Sequence, residues 1–207
     1  MSEPKRLDLQ KMVERIKPVP EDVAKANFAK IQQKQRDFTE AIKSILPERL
    51  WSYRKYNPKM TSVVEAKKED FIKSKYGLWL ICGNTGSGKT CFISDIVHKI
   101  VWKNTKSTCV YKLTSGFFLD LREAIQKKYE LEYLKSMISS DLLILDDFGA
   151  NGYSEYERTT FQHIVTSKES HNKKLIIVTN MSVSQAKKLI TKPSVRRFDQ
   201  SFGILEI

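Results

Sequence analysis

The sequence predicts an α/β fold, a parallel sheet flanked by helices with a small helical region ahead of it. Three observations carry this. The run Leu78-Trp79-Leu80-Ile81-Cys82 reads as a buried strand, Gly83-Asn84-Thr85-Gly86-Ser87-Gly88-Lys89-Thr90 follows it, and an amphipathic helix continues from Cys91 to Lys103. Further apolar runs, Leu142-Leu143-Ile144-Leu145 and Leu175-Ile176-Ile177-Val178, alternate with helical patterns. Unbroken rather than alternating apolar strands belong to parallel sheets covered on both faces. Finally, the run at 142–145 ends in Asp146-Asp147, a pair of carboxylates where a buried strand meets solvent.

Taken in order, residues 1–20 are polar and close on Pro18 and Pro20. A long helical pattern then runs from Glu21 to Leu46 and stops at Pro47. Its seam, Ala24, Phe28, Ile31, Gln35, Phe38, Ile42 and Ile45, alternates steps of four and three, the spacing of a helix lying along another helix. That helix either folds on its own domain or docks a partner. Residues 51–60, with Trp51, Tyr53 and Tyr56 among Arg54, Lys55 and Lys59, form a basic aromatic linker that either packs on the domain or stacks bases. The expected division is a helical docking region and linker at 1–60 and a nucleotide-binding domain at 61–207. In the second part the pattern predicts a helix at 61–75, a strand at 108–113, and a helix through Lys128 capped by Thr114 or Ser115. It predicts further helices at 131–139, 155–171 and 182–190 (Ser182 as N-cap), and a last strand at 202–207.

The segment 83–90 is a full match to the phosphate-cradling G-x-x-x-x-G-K-[ST] loop, set between a strand and a helix as its chemistry requires. Gly83, Gly86 and Gly88 permit the tight wrap. The backbone of Asn84, Thr85, Ser87 and Cys91 completes the cradle. Lys89 is expected on the β- and γ-phosphates of ATP and the Thr90 hydroxyl on Mg²⁺. Asp146 is the second candidate for Mg²⁺, through water in view of that ion's preference for oxygen ligands, and Asp147 the candidate for activating the attacking water. Thr179-Asn180 ends the next strand, and Asn180 is expected between those carboxylates and the γ-phosphate. Near the C-terminus, Arg196-Arg197 offers an arginine that a neighbouring subunit would insert against the transition-state charge, Arg197 being the first choice; a phosphate clamp or a solvated charge is the alternative.

The composition sets bounds. Of 207 residues, 36 are basic and 24 acidic, a net charge of +12 that favours a polyanionic partner or lysine-rich solubility. An apolar fraction of 41% supports a real core. No run spans a membrane and no secretory signal is read, so the expected compartment is the cytoplasm. Cys82, Cys91 and Cys109 have no metal spacing and read as buried free thiols.

With these residues in view, the chain resembles the AAA+ helicase loaders, DnaC-like and DnaI-like, with the IstB transposition ATPases as close relatives. The resemblance covers about 61–207. It rests on the segment 77–90, on Ser140-Asp141-Leu142-Leu143-Ile144-Leu145-Asp146-Asp147-Phe148-Gly149, on Val178-Thr179-Asn180 and on Arg196-Arg197-Phe198. It implies a slow ATPase stimulated by DNA or partner, with Asn180 as sensor 1, a minimal or absent helical lid and self-association through the ATPase interface. It also implies loading of a hexameric DnaB-like replicative helicase, gripped through 21–46, onto single-stranded DNA. It makes Phe117, Phe118, Arg122, Lys127 and Lys128 candidates for contacting DNA, helped by Lys103, Lys106 and Lys112. The alternative it implies is an IstB-like regulator acting with a transposase on double-stranded DNA. No zinc cluster is present, and Ser167-Lys168 replaces the loaders' usual Arg-Tyr.

Overall fold

The computed structural model describes residues 21–51, 62–149 and 153–207. The basic aromatic linker lies mostly outside them. Helix α1 (Glu21–Ile45) is followed by Pro47 and a short 3₁₀ turn (Glu48–Leu50). Then come α2 (Ser62–Lys73), β1 (Gly77–Cys82), α3 (Lys89–Lys103), β2 (Cys109–Leu113), α4 (Thr114–Gln126) and α5 (Glu130–Ser139). The chain continues through β3 (Leu142–Asp146), α6 (Glu155–Ser170), β4 (Lys174–Val178), α7 (Val183–Leu189), α8 (Lys192–Asp199) and β5 (Gly203–Glu206).

The five strands form one parallel sheet in the order β2-β3-β4-β1-β5. Side chains along a strand alternate between faces, and the core divides accordingly. Trp79, Ile81, Leu142, Ile144, Ile176 and Val178 pack against α3, α2 and Ile42, Leu46 and Leu50. Leu78, Leu80, Leu143, Leu145, Leu175 and Ile177 pack against α4, α6, Ala186 and Phe198. The two-faced parallel sheet that the apolar runs predict is the fold observed.

Contacts divide the chain into two units at Asp37/Phe38. The sequence places its boundary at 60/61 instead. The difference lies in the second half of the α1 seam, where Ile42 is 2% exposed and Phe38 and Ile45 pack partly buried on the same core. In the first unit Phe28 and Ile31 are 62% and 60% exposed. The later half of the seam therefore folds on its own domain, while Phe28 and Ile31 in the earlier half stay exposed.

Other details depart from expectation. Thr114 and Ser115 lie inside α4, and Leu113 stands at its N-cap; the Thr114 hydroxyl donates to the Asp146 carbonyl at 2.8 Å. Helix α8 has no counterpart among the expected elements, although Thr191 precedes it and Pro193 sits in its first turn, where proline's fixed φ is favourable. Capping boxes start α6 (Ser154 with Glu157) and α7 (Ser182 with Gln185). Cys82 and Cys109 are buried free thiols, pushed up to about 11 and about 12 chiefly by desolvation, but Cys91 is exposed.

Lys168 is wholly buried beneath this framework. Its ammonium donates to the carbonyl and hydroxyl of Ser140 at 2.7 and 2.8 Å, which joins the end of α6 to the residue before β3. Burial, reinforced by Lys173, lowers its pKa from 10.5 to about 7. Between those values the unfolded chain binds a proton that the folded chain does not, so stability rises with pH there and is flat below. Urea unfolding of wild type and Lys168→Met at pH 7, 8, 9 and 10 should show the wild type gaining relative to the variant by up to about 1.4 kcal/mol per pH unit. A difference independent of pH would contradict the assignment.

Candidate functional site

The carboxyl ends of β1, β4 and β3 lie side by side, at the edge where open α/β sheets place ligands. The loop from Gly83 to Gly88 leaves β1 and turns into α3. Gly83, Gly86 and Gly88 all have positive φ (147°, 83° and 97°). At Gly83 a Cβ would also stand 2.1 Å from the Ile207 carbonyl oxygen, so both conformation and space require glycine. Gly86 has no heavy atom within 4 Å of such a Cβ, which leaves the loop open above it.

Lys89, 6% exposed, folds back into the loop. Its Nζ donates to the carbonyls of Gly83 (2.8 Å) and Asn84 (2.7 Å) and to Ser87 Oγ (3.3 Å). Desolvation lowers its pKa, opposed by the charges of Asp146, Cys82 and Asp147. The amine thus sits within electrostatic reach of both carboxylates that the sequence assigns to the same site. Thr90 is half-buried at the start of α3 and Cys91 follows it, exposed.

Asp146 closes β3 and is 7% exposed. Its Oδ1 accepts the Asp147 N–H at 2.8 Å and its Oδ2 accepts the Tyr111 hydroxyl at 2.6 Å. Asp147 adopts a left-handed backbone conformation (φ 58°), one that Asp and Asn enter more readily than bulkier residues. Its Oδ1 accepts Asn180 Nδ2 at 2.9 Å. Thr179 is fully buried and donates to the Phe148 carbonyl, so Asn180 is the side chain left to face the carboxylates. Tyr111 was missed in the sequence; its pKa is raised by burial and then by the Asp146 carboxylate.

The donor set fits a hard cation held with phosphates. Asp146 and the Thr90 hydroxyl offer oxygen alone, and Mg²⁺ takes only one or two protein ligands beside phosphate and water. Among the described residues no cluster of three or more His, Cys, Asp or Glu could hold a metal without such help.

Arg197 lies elsewhere. Its Nε donates to Glu169 Oε2 at 2.6 Å, near the end of α6, and its Nη1 to the Pro193 carbonyl. Arg196 is exposed and lines a groove with Lys187, Lys192 and Asp199. The DNA candidates change most. Phe117 and Phe118 are 0% and 4% exposed and belong to the core under α4. Arg122 pairs with Glu157, Lys127 with Glu123 and Lys112 with Asp120. Lys103, Lys106 and Lys128 are exposed.

This sheet order, phosphate loop and strand-end carboxylate pair define a P-loop NTPase of the AAA+ class. The family model of the bacterial DnaA ATPase domain matches residues 57–202, and the chain belongs to that family. The chromosomal replication initiator protein DnaA of Gloeobacter violaceus is 25% identical over 124 residues, which are 60% of this chain and 28% of that protein. The chain therefore spans little more than a quarter of that relative. Among solved structures, the DnaC helicase loader has a similar fold (TM-score 0.67, 21% identity, 78% of this chain and 99% of that chain). So does replication initiator DnaA bound to AMPPCP and single-stranded DNA (TM-score 0.63, 23% identity, 75% and 49%). No helix among the described residues is long and apolar enough to cross a membrane.

Gly83→Ala should lower stability by about 1–3 kcal/mol, because a methyl group would be forced against backbone at an unfavourable φ. Thermal unfolding without nucleotide tests this; an unchanged midpoint would refute the steric reading.

Proposed function

We propose that this protein is an ATPase that loads or remodels a replicative helicase on single-stranded DNA during replication initiation, in the cytoplasm. The observation that supports the loader reading is the extent of the likeness to the DnaC helicase loader, which takes in 99% of that chain, against 49% of the DnaA chain. The Asp147–Asn180 contact supports the hydrolytic reading, because it holds a carboxylate and a polar donor together beside the phosphate loop.

In this reading the loop N–H groups and Lys89 bind the ATP phosphates. Lys89 exchanges neutral carbonyl acceptors for charged oxygens, and such charge-assisted bonds are the stronger. Thr90 and Asp146 would hold Mg²⁺, which would supply positive charge against the phosphates. Both Asp146 oxygens already accept hydrogen bonds, so a water between carboxylate and ion suits the site. Asp147 orients the attacking water and takes its proton. Asn180 fixes Asp147 and reaches toward the γ-phosphate. Of the two arginines, Arg196 is the better placed to act on a neighbouring subunit, since Arg197 is bound to Glu169. Phe28 and Ile31 on α1 would grip the helicase.

Asp147→Asn should leave nucleotide affinity within about twofold and lower turnover at least about 100-fold, the lower range for losing a general base. Steady-state phosphate release with single-stranded DNA and partner present tests it; no turnover by the unmutated protein would end the catalytic assignment. Affinity capture with ATP present should recover a hexameric replicative helicase with the wild type and lose it with Phe28→Asp/Ile31→Asp. Recovery of no such helicase under any nucleotide condition would sink the loader reading.

A further inference from the structure

Tyr111 comes from β2, whose parallel register sets Leu113 opposite Asp146. Its ring packs on the sheet face that carries α3, Leu46 and Leu50. From there its hydroxyl reaches Asp146 Oδ2 at 2.6 Å. The opposite carboxylate oxygen is fixed by the Asp147 N–H. A carboxylate has about four acceptor positions, so these two bonds set its plane and still leave lone pairs for a hydrated cation. The nearby charge of Arg49 opposes the rise in the phenol's pKa. Arg49 is exposed and belongs to the turn Glu48–Leu50. That turn is anchored by buried Leu50, whose carbonyl accepts the Ser94 hydroxyl at 3.3 Å.

We propose that Tyr111 is a positioning residue for the cation site, holding the Asp146 carboxylate in its metal-binding orientation. This rests on the nucleotide-site reading above and deepens it. Tyr111 acts through Asp146, so its effect appears where the cation contributes and vanishes where it does not. Outer partners of a metal ligand typically matter by 10–100-fold in metal affinity.

The experiment is a titration of the full chain with the fluorescent nucleotide N-methylanthraniloyl-ATP, at rising MgCl₂ and again in EDTA. Tyr111→Phe removes one oxygen. It should raise the Mg²⁺ concentration for half-maximal tightening about tenfold, with the change confined to the Mg²⁺ series. A wild-type Mg²⁺ curve in Tyr111→Phe, or equal weakening in Mg²⁺ and EDTA, would overturn the positioning role. Should Tyr111→Phe fail to fold, judged by thermal melting, Tyr111→Met is titrated in its place, and a wild-type Mg²⁺ curve there would overturn the role. Failure of the wild type to bind the probe in either condition would overturn the nucleotide reading itself; binding with no difference among variants would overturn only this inference.

Discussion

The parallel register of β3, β4 and β1 is the constraint on which the site depends. Leu145 and Ile81 both neighbour β4, opposite Ile177 and Val178 respectively. The pairing continues past the strand ends, since Thr179 N donates to the Ile81 carbonyl and Phe148 N to the Val178 carbonyl. Those bonds fix where three loops depart from one edge. Lys89, Asp147 and Asn180 are far apart in sequence and could not meet otherwise. A slip of one residue in β4 would turn its side chains to the opposite face and separate Asn180 from Asp147. The two-sided core resists such a slip, because Leu175 and Ile177 fill one side while Ile176 and Val178 fill the other.

The site is also a balance of buried charge. An ammonium as enclosed as Lys89 needs acceptors in place of water. In this state it finds them in the loop's own carbonyls. The carboxylates beside it favour the charged amine and counter desolvation. The same economy appears at Lys68, buried and paired with the equally buried Asp95, and at Lys168, which has oxygen acceptors but no carboxylate bonded to it. That missing counter-charge is why burial dominates at Lys168 and its proton affinity falls so far.

Much of this was legible in the sequence. Glycines followed by Lys-Thr between a strand and a helix, and an apolar run ending in Asp-Asp, are local patterns with local causes. Asn180 was legible from its place at a strand tip. The exceptions have different origins. Tyr111 was hidden because its partner is set by the β2–β3 register, which no local pattern announces. Phe117 and Phe118 stand in the apolar pattern of α4, and only the family resemblance offered them to DNA; the buried stripe is Thr114, Phe117, Phe118, Leu121 and Ala124, and it leaves Ile125 at 40% exposure. For α8 the signal was present, in Thr191 ahead of Pro193, but it concerns a helix end rather than the apolar periodicity followed along the chain.

The net charge takes on a different meaning once the pairs are known. On α4 and its approach, three of the cations expected to meet DNA have carboxylate partners at ion-pair distance. Exposed pairs of this kind contribute little stability, and a phosphate backbone can compete for their cations. They nevertheless carry a carboxylate with each lysine or arginine, which reduces the local positive field. The groove on α7 and α8 is lined by Lys187, Lys192 and Arg196; Lys187 pairs with Asp199 at 3.7 Å, and Lys188 is exposed on the same short helix. Helix α8 reaches the groove from the core through buried Phe198 and Ser194. The excess of basic residues read from composition is thus partly offset by local pairs, and Lys192 and Arg196 on α8 are among its exposed members.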